Sequence, residues 1–579
     1  MRGAARIVML GLAALAVETR AQTMAAGSIA PPTREEVQRA EPPPATPAAS
    51  QLTVEGGPAR AACPLAEPRF AATSLVIRRV VFDHLAGLSA EDLRSSHDGL
   101  LGRAVPVAAL CAIRDAATAI LTRAGYVAAV QVLPQSVTDG TVHLDVVMAR
   151  LVRLEVRGGG GRAGRRLAAA LAGLTRQPLF NTREAERTLL LARDLPGYDV
   201  RLVLRPAGTP PGDVVGEIIA TRRRLVLTAS LQNYGAHGVG RWGALASAQV
   251  NGVLGIGDRL TLGLFDTLQP REQAVVQAGY DTRLGNDGLT VGWRFTYAWT
   301  RPAIDGAHPL VAHTLVGSLE AGYPLRRSQA LDLRVAAGMD LIDQDLDYLG
   351  APLTRDRLRV GYLRLDTNAT GPAATTADPR WRVAASLELR HGFAILGADQ
   401  DCGATSTQPL CASVPAPSRI QGWPTATLLR LSAQAEHRLT RGLTVAIAPR
   451  LQYAFDPLLS YEQYSGGGYT IGRGYDLGAI VGDSGAGGSA ELRAGSLTPR
   501  DRVALQPYAF VDAAWTWNRN AMLAADRDRL ISAGGGVRAT LADRARIDLL
   551  LAAPLHRATT QGRIGGFRAL VSASMNWSR

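Results

Sequence analysis

GGGYTIGRGYDLGAIVGDSGAGGSAEL, the stretch from Gly466 to Leu492, decides the fold. Glycine is dense enough here for the backbone to take left-handed and very tight conformations at almost every step. Apolar side chains are too few for a core of its own, and the run is too short to link two domains. Such a segment holds one shape only if something encloses it. Its anchoring groups are Arg473, set between Gly472 and Gly474, then Tyr475, Asp483 and Glu491. Downstream, Tyr508-Ala-Phe510-Val-Asp512 alternates strictly, so Tyr508, Phe510 and Asp512 share one face of a strand. The reading is a loop, residues 455–485, folded into a wide β-barrel with Arg473 reaching Asp512 on the wall. Glu491, inward on the adjacent strand by the same alternation, is the alternative acceptor, and an exposed loop arginine is the simpler reading. In a wet lumen such a pair is worth only ~1 kcal/mol.

The text around this stretch is all-β. From about Leu225 onward, segments of ~9–12 residues alternate apolar with polar or small side chains, the length of a tilted membrane strand. Leu225 to Tyr234, Leu310 to Tyr323, Leu331 to Leu341 and Thr444 to Phe455 are examples. About sixteen such segments can be counted, an even number as single-chain outer-membrane barrels require. Connections such as Leu439-Thr-Arg-Gly442 are short, while the alternate set, with Gly392 to Pro424 and Asp456 to Gly485, is long. Short on one side and long on the other is the barrel pattern.

Bulk properties agree. The 579 residues exceed what one compact core organises. No apolar run is long enough for a membrane-spanning helix. The net charge of +13 would suit nucleic acid, but the arginines are scattered with no basic block, so no nucleic-acid partner is expected. Anionic lipid head groups of an outer membrane answer the charge equally well. The sequence contains no lysine. That excludes Schiff-base chemistry, a Ser-Lys dyad and a phosphate-loop lysine.

Residues 1–21 resemble a secretory signal: Arg2 and Arg6, an apolar run from Ile7 to Val17, then Thr19-Arg20-Ala21. Residues 22–60 hold one short helical pattern, Arg34 to Ala40, with Thr33 and Glu36 as a capping box, and then a Pro/Ala/Ser-rich linker. A helix this short is marginal alone in water. It either stays unstructured or docks into something.

Residues 61–150 and 151–222 read as two small α+β units of one pattern, strand, helix, helix, strand, strand, which suggests tandem modules. The second contains Gly159-Gly-Gly161-Arg-Ala-Gly164 with Glu184 twenty residues on, which mimics a dinucleotide fingerprint. Glu184 falls within a helix, and the element order is not βαβ, so no dinucleotide cofactor is expected. Gly482-Asp483-Ser484-Gly485 has the look of a serine-protease nucleophile segment, but no histidine segment supplies a base, so no enzyme is expected. Cys402 and Cys411 fall in the longest outer loop, placed to close it, and Cys63 and Cys111 bracket the first module, placed to staple it. Metal is not expected without CxxC spacing or clustered histidines.

With these features assembled, the chain resembles the outer-membrane transporters of two-partner secretion, the filamentous-haemagglutinin and haemolysin secretion family. The family's sixth-loop Val-Arg-Gly-Tyr is matched by Gly472-Arg473-Gly474-Tyr475, its Phe-x-Asp by Phe510-Val-Asp512, and its Ser-x-Glu-Leu by Ser489-Ala-Glu491-Leu492. Gly125-Tyr126 and Leu133-Pro-Gln135 match its first polypeptide-transport-associated (POTRA) module, and Leu195-Pro-Gly197 the second. Two departures stand out: Gly472 replaces the usual valine, and Asn576-Trp-Ser-Arg579 replaces a terminal aromatic. The resemblance implies a plug helix, two POTRA modules in the periplasm and a sixteen-stranded barrel, residues 223–579, in the outer membrane. It also implies export of a secreted exoprotein, an adhesin or haemolysin, bound at the modules, with periplasmic chaperones as further partners. A barrel-assembly insertase and a small-solute porin are the rival readings. No ATP site is present, so the client's own folding outside would have to drive export.

Overall fold

The computed structural model describes residues 32–37, 65, 67–70, 72–157, 161–208, 210–268, 272–302, 309–371, 379–400, 415–469, 471–495, 503–519, 527–542, 544–558 and 565–579. The signal segment, the Pro-rich linker, Cys63, Cys402 and Cys411 lie outside these residues. Cys111 is disulfide-bonded.

The first described element is the short helix α1 (Arg34–Val37). The first module runs β1 (Ser74–Val76), β2 (Arg79–Asp83), β3 (Ala104–Pro106), α2 (Ala109–Arg123), β4 (Ala128–Gln131) and β5 (Thr141–Met148). The single strand expected over Leu75 to Phe82 is therefore two strands. β1 leaves to pair β3, while β2 pairs β5 in parallel in a sheet ordered β2-β5-β4. Helix α2 buries Leu110, Ile113, Ala117 and Leu121, one stripe at helical spacing, onto that sheet.

The second module keeps the sheet plan but has two α-helices, where the first has a 3₁₀ turn (Glu91–Ser96) in place of the expected first helix: β6 (Arg150–Arg157), α3 (Gly161–Leu171), α4 (Thr182–Arg193), β7 (Tyr198–Pro206) and β8 (Asp213–Arg222), in a sheet ordered β6-β8-β7. Asn181 caps α4, its side chain accepting from the Arg183 amide at 2.9 Å. The same side chain donates to the Ala124 carbonyl of the first module at 3.3 Å. Gly125 sits beneath it at φ +97°, where a Cβ would meet Asn181 Oδ1 at 2.5 Å. The Gly125-Tyr126 pair is thus the joint between the modules, and only glycine fits it.

The remaining strands close one antiparallel barrel. They are β9 (Leu225–Gln232), β10 (Gly243–Asn251), β11 (Asp258–Thr267), β12 (Gln273–Leu284), β13 (Leu289–Thr300), β14 (Leu310–Arg327), β15 (Leu331–Tyr348), β16 (Ala351–Thr370), β17 (Trp381–Gly392), β18 (Thr427–Thr440) and β19 (Leu443–Ala454). The short strands β20 (Tyr464–Gly466) and β21 (Ile480–Gly482) follow and pair only with each other. The barrel resumes with β22 (Ser484–Ala494), β23 (Val503–Trp517), β24 (Arg527–Leu541), β25 (Ala545–Pro554) and β26 (Arg568–Ser578). β26 pairs β9 from Ser572 with Gln232 to Ser578 with Val226, which closes the ring of sixteen. Trp577 near the chain end faces outward with Met575, so an aromatic does stand on the outer wall there.

Alternation sorts the two faces. Leu264, Leu319, Leu363, Leu389, Leu451 and Leu551 are exposed on the outer wall, while their neighbours along each strand point inward. β14, β15 and β16 reach 18, 18 and 20 residues, longer than the alternation suggested. The inserted loop ends about where expected, since β22 begins at Ser484 and carries the rest of the Gly-rich stretch as barrel strand. Its glycines serve that strand. A Cβ at Gly485 would meet the Tyr464 ring at 2.4 Å, and one at Gly487 the Tyr464 hydroxyl at 2.7 Å. Bare backbone on β22 lets the inserted loop lie directly on the wall.

Candidate functional site

The loop between β19 and β22 folds back into the barrel, and Arg473 is buried against its wall. Its backbone amide donates to Asp512 Oδ2 at 2.9 Å, its Nε to the same oxygen at 3.0 Å, and its Nη2 to Oδ1 at 2.7 Å. The Gly472 amide adds a fourth contact to Oδ2 at 3.2 Å. Nη1 meets Glu491 Oε1 at 2.6 Å, and Nη2 also meets Ser489 Oγ at 2.6 Å. Asp512 and Glu491 are therefore both acceptors, where the sequence offered them as alternatives. The guanidinium carbon stands 3.5 Å above the Phe510 ring centroid, a close cation–π contact.

Glycine makes this approach feasible. Gly472 has φ +93°, a conformation that disfavours valine, and its Cβ would meet Leu530 at 2.7 Å. A Cβ on Gly474 would meet the Pro554 amide nitrogen at 2.7 Å and Ser532 Cβ at 2.9 Å. Tyr475 is fully buried, its hydroxyl set between the carbonyls of Ile531 (2.8 Å) and His556 (2.5 Å). The expectation of a wet site is overturned. Arg473 is 3 % exposed and Asp512 0 %, because Phe510, the loop backbone and β24 exclude solvent. Breaking such a buried pair costs ~3–5 kcal/mol, not the ~1 of a hydrated one.

Two wall residues missed in the sequence extend the network. Arg538 binds Glu491 through Nη1 (2.9 Å) and Nη2 (3.0 Å), and Asp548 through Nε (3.1 Å). Tyr508 and Tyr469 donate to the two oxygens of Asp548 at 2.7 and 3.0 Å. A signal existed: Arg538 follows outward Val537 and Asp548 precedes outward Leu549, so alternation alone turns both charges inward. Asp483 sits at the other end of the loop, fully buried. It accepts from the Leu458 and Arg519 amides at 3.1 and 2.9 Å and pairs with Arg419.

A second cluster seats α1. Val37 is fully buried in an apolar group with Phe265, Val275, Ile342, Leu459 and Tyr461. Arg34 pairs with Glu388 at 3.3 Å, and Gln344 donates to the Pro32 carbonyl at 2.8 Å. Behind Glu388, the buried Arg390 ties Glu388 (3.0 Å), Asp340 (2.7 Å) and Glu462 (2.8 Å) together. Among the described residues, one helix and one loop occupy the lumen, both held by charge and both sharing a wall. Among the described residues no cluster of His, Cys, Asp and Glu is placed to hold a metal.

Comparison with known proteins places this arrangement. The family model for haemolysin secretion/activation proteins of the ShlB/FhaC/HecB kind matches residues 219–539, and that for ShlB-type POTRA domains matches residues 75–148. No curated protein matches the chain. Among solved structures, CdiB from Escherichia coli is similar at 16% identity and TM-score 0.66, covering 90% of this chain and 94% of its own. CdiB from Acinetobacter baumannii gives 16% and 0.57, covering 91% and 95%. BamA from Haemophilus ducreyi lacking POTRA domains 1–3 gives 16% and 0.52, covering 87% and 100%. At these identities the structures establish a shared fold.

Proposed function

The chain belongs to the haemolysin secretion/activation family, an outer-membrane transporter of two-partner secretion with periplasmic POTRA domains, and from that premise we propose how it works. It exports one large exoprotein, an adhesin or haemolysin, as an extended chain through its own lumen. One observation carries this reading: a barrel wide enough for an aqueous channel is filled at rest by a helix and a loop, beneath two modules with open sheet edges. A strand of the client pairs with an edge such as β4 or β7 by β-augmentation, which holds it unfolded at the barrel mouth. Helix α1 then leaves the lumen, while the Arg473 anchor keeps the loop registered against β23. Outer-membrane lipid surrounds the apolar outer wall, and periplasmic chaperones deliver the client.

Removal of the POTRA domains tests the reading. Cells carrying this chain with the exoprotein encoded beside it release that exoprotein, and cells carrying a chain without residues 61–222 retain it. Equal release from both would favour a small-solute porin, which needs no such domains. Loss of other barrels from the outer membrane on depletion would favour an insertase of the BamA kind.

A further inference from the structure

Leu195-Pro-Gly197 has no role in the site described above, yet it lies where the second POTRA domain meets the barrel. Gly197 has φ +79°, and a Cβ there would meet the Arg223 carbonyl and Asn251 Cβ, both at 2.6 Å. The Arg223 amide donates to the Gly197 carbonyl at 2.7 Å. Asn251, at the end of β10, donates its side chain to the Arg223 carbonyl at 2.9 Å. The chain therefore crosses from domain to barrel through a close-packed crossing and not through a free linker.

The residue before this motif makes the strongest contact of the joint. Asp194 accepts from Arg327 twice, Nε to Oδ2 at 2.9 Å and Nη2 to Oδ1 at 2.8 Å, and lies 3.9 Å from Arg283. Arg327 ends β14 and Arg283 lies at the end of β12, so one carboxylate grips the barrel rim at two strands. Both side chains are partly buried, Asp194 at 25 % and Arg327 at 15 % exposure, which limits screening. The helical layer supplies the rest: Arg166 of α3 donates to the carbonyls of Arg283 (2.8 Å) and Gly285 (3.1 Å), and Arg187 of α4 to Pro324 (3.3 Å). These contacts all come from the helices and the chain crossing. Both β6 and β7 pair with β8 on one side, and among the described residues their outer edges pair with no further strand.

We propose that Asp194 is a positioning residue for export: it locks the helices of the second POTRA domain to the rim so that its open sheet edge holds a fixed aim at the lumen. The bidentate geometry supports this, since a planar two-point contact fixes an angle as well as a distance. A mobile domain would present the client strand over many directions, and only a fraction of encounters would feed the mouth. This rests on the export reading above and adds the part that orients the client.

Spin labels on cysteines introduced at the exposed Arg201 of β7 and Arg441 of the β18–β19 turn report the joint in the full-length protein. Among the described residues no cysteine is free to compete. The wild type should give one narrow distance distribution and Asp194→Ala a broad one. Release of the exoprotein should fall roughly fivefold, the equilibrium factor of about 1 kcal/mol. The barrel should keep its heat-modifiable mobility in gels. Asp194→Glu, which keeps a carboxylate facing both Arg327 and Arg283, should retain narrow distances and release. An unchanged distribution in Asp194→Ala, or a broad one with full release, would overturn the proposal. A wild type with narrow distances and no release would count against export while leaving the joint intact.

Discussion

Arg473 and Asp512 meet three times, through one backbone amide and two guanidinium nitrogens, at 2.7 to 3.0 Å and out of solvent. A contact of this kind fixes position as much as energy. Arg473→Ala should abolish secretion while the barrel still folds and inserts, because its strands pair without the loop. Arg473→Lys should be nearly as damaging, since an ammonium cannot make the planar two-point contact. The double exchange Arg473→Asp with Asp512→Arg, assayed by cysteine crosslinking of loop to wall, is the decisive check. Wild-type secretion and crosslinking in each single variant would remove the anchor.

Gly474→Ala adds one methyl where the Pro554 nitrogen stands 2.7 Å away. Backbone on β25 cannot yield as a side chain would, so the loop should lift from the wall. Crosslinking yield should drop as far as in Arg473→Ala, at a cost of ~1–3 kcal/mol for overpacking. A wild-type yield would show that the wall is soft here.

Helix α1 should act as a plug. Deleting residues 24–44 removes Val37 from its apolar seat and Arg34 from Glu388, which opens that part of the lumen to water. Conductance in planar bilayers should rise. If it does not, the helix is not what closes the lumen.

Two histidines of the first POTRA domain should titrate in opposite directions from the ordinary value of 6.5. The hydrogen bond to Asp145, at 2.7 Å, raises exposed His84, so its contribution to stability is complete below pH 6.5 and fades as pH rises through the higher folded value. Burial against Phe82 lowers His97, whose contribution is present above pH 6.5 and fades as pH falls through the lower folded value. Imidazole resonances of the full-length protein in detergent should separate in that order. A reversed order would contradict both partners.

Cys402 and Cys411 should be bonded to each other. Closing a loop this short contributes ~2–3 kcal/mol at most, and only locally. Strong thiol labelling of intact cells without reductant would rule the bridge out.

Much of this protein was legible in the chain itself. Period-two alternation, strand length and unequal loops determined a sixteen-stranded barrel, because a membrane wall forces every strand to sort apolar from polar at each step. The same alternation put Phe510, Asp512 and Glu491 inside, and glycine on both sides of Arg473 marked the close approach. Tertiary structure alone decided the rest. Whether α1 docks depends on Val37 finding Phe265 and Ile342, residues more than two hundred positions away, and no local propensity encodes that meeting. Arg390 joins Asp340, Glu388 and Glu462, which come from two strands and the loop, so only closure of the ring makes them neighbours. The dryness of the Arg473 site has the same origin. A side chain's solvent exposure is set by what packs over it, and here that cover is loop backbone and a facing strand brought together only in the folded barrel.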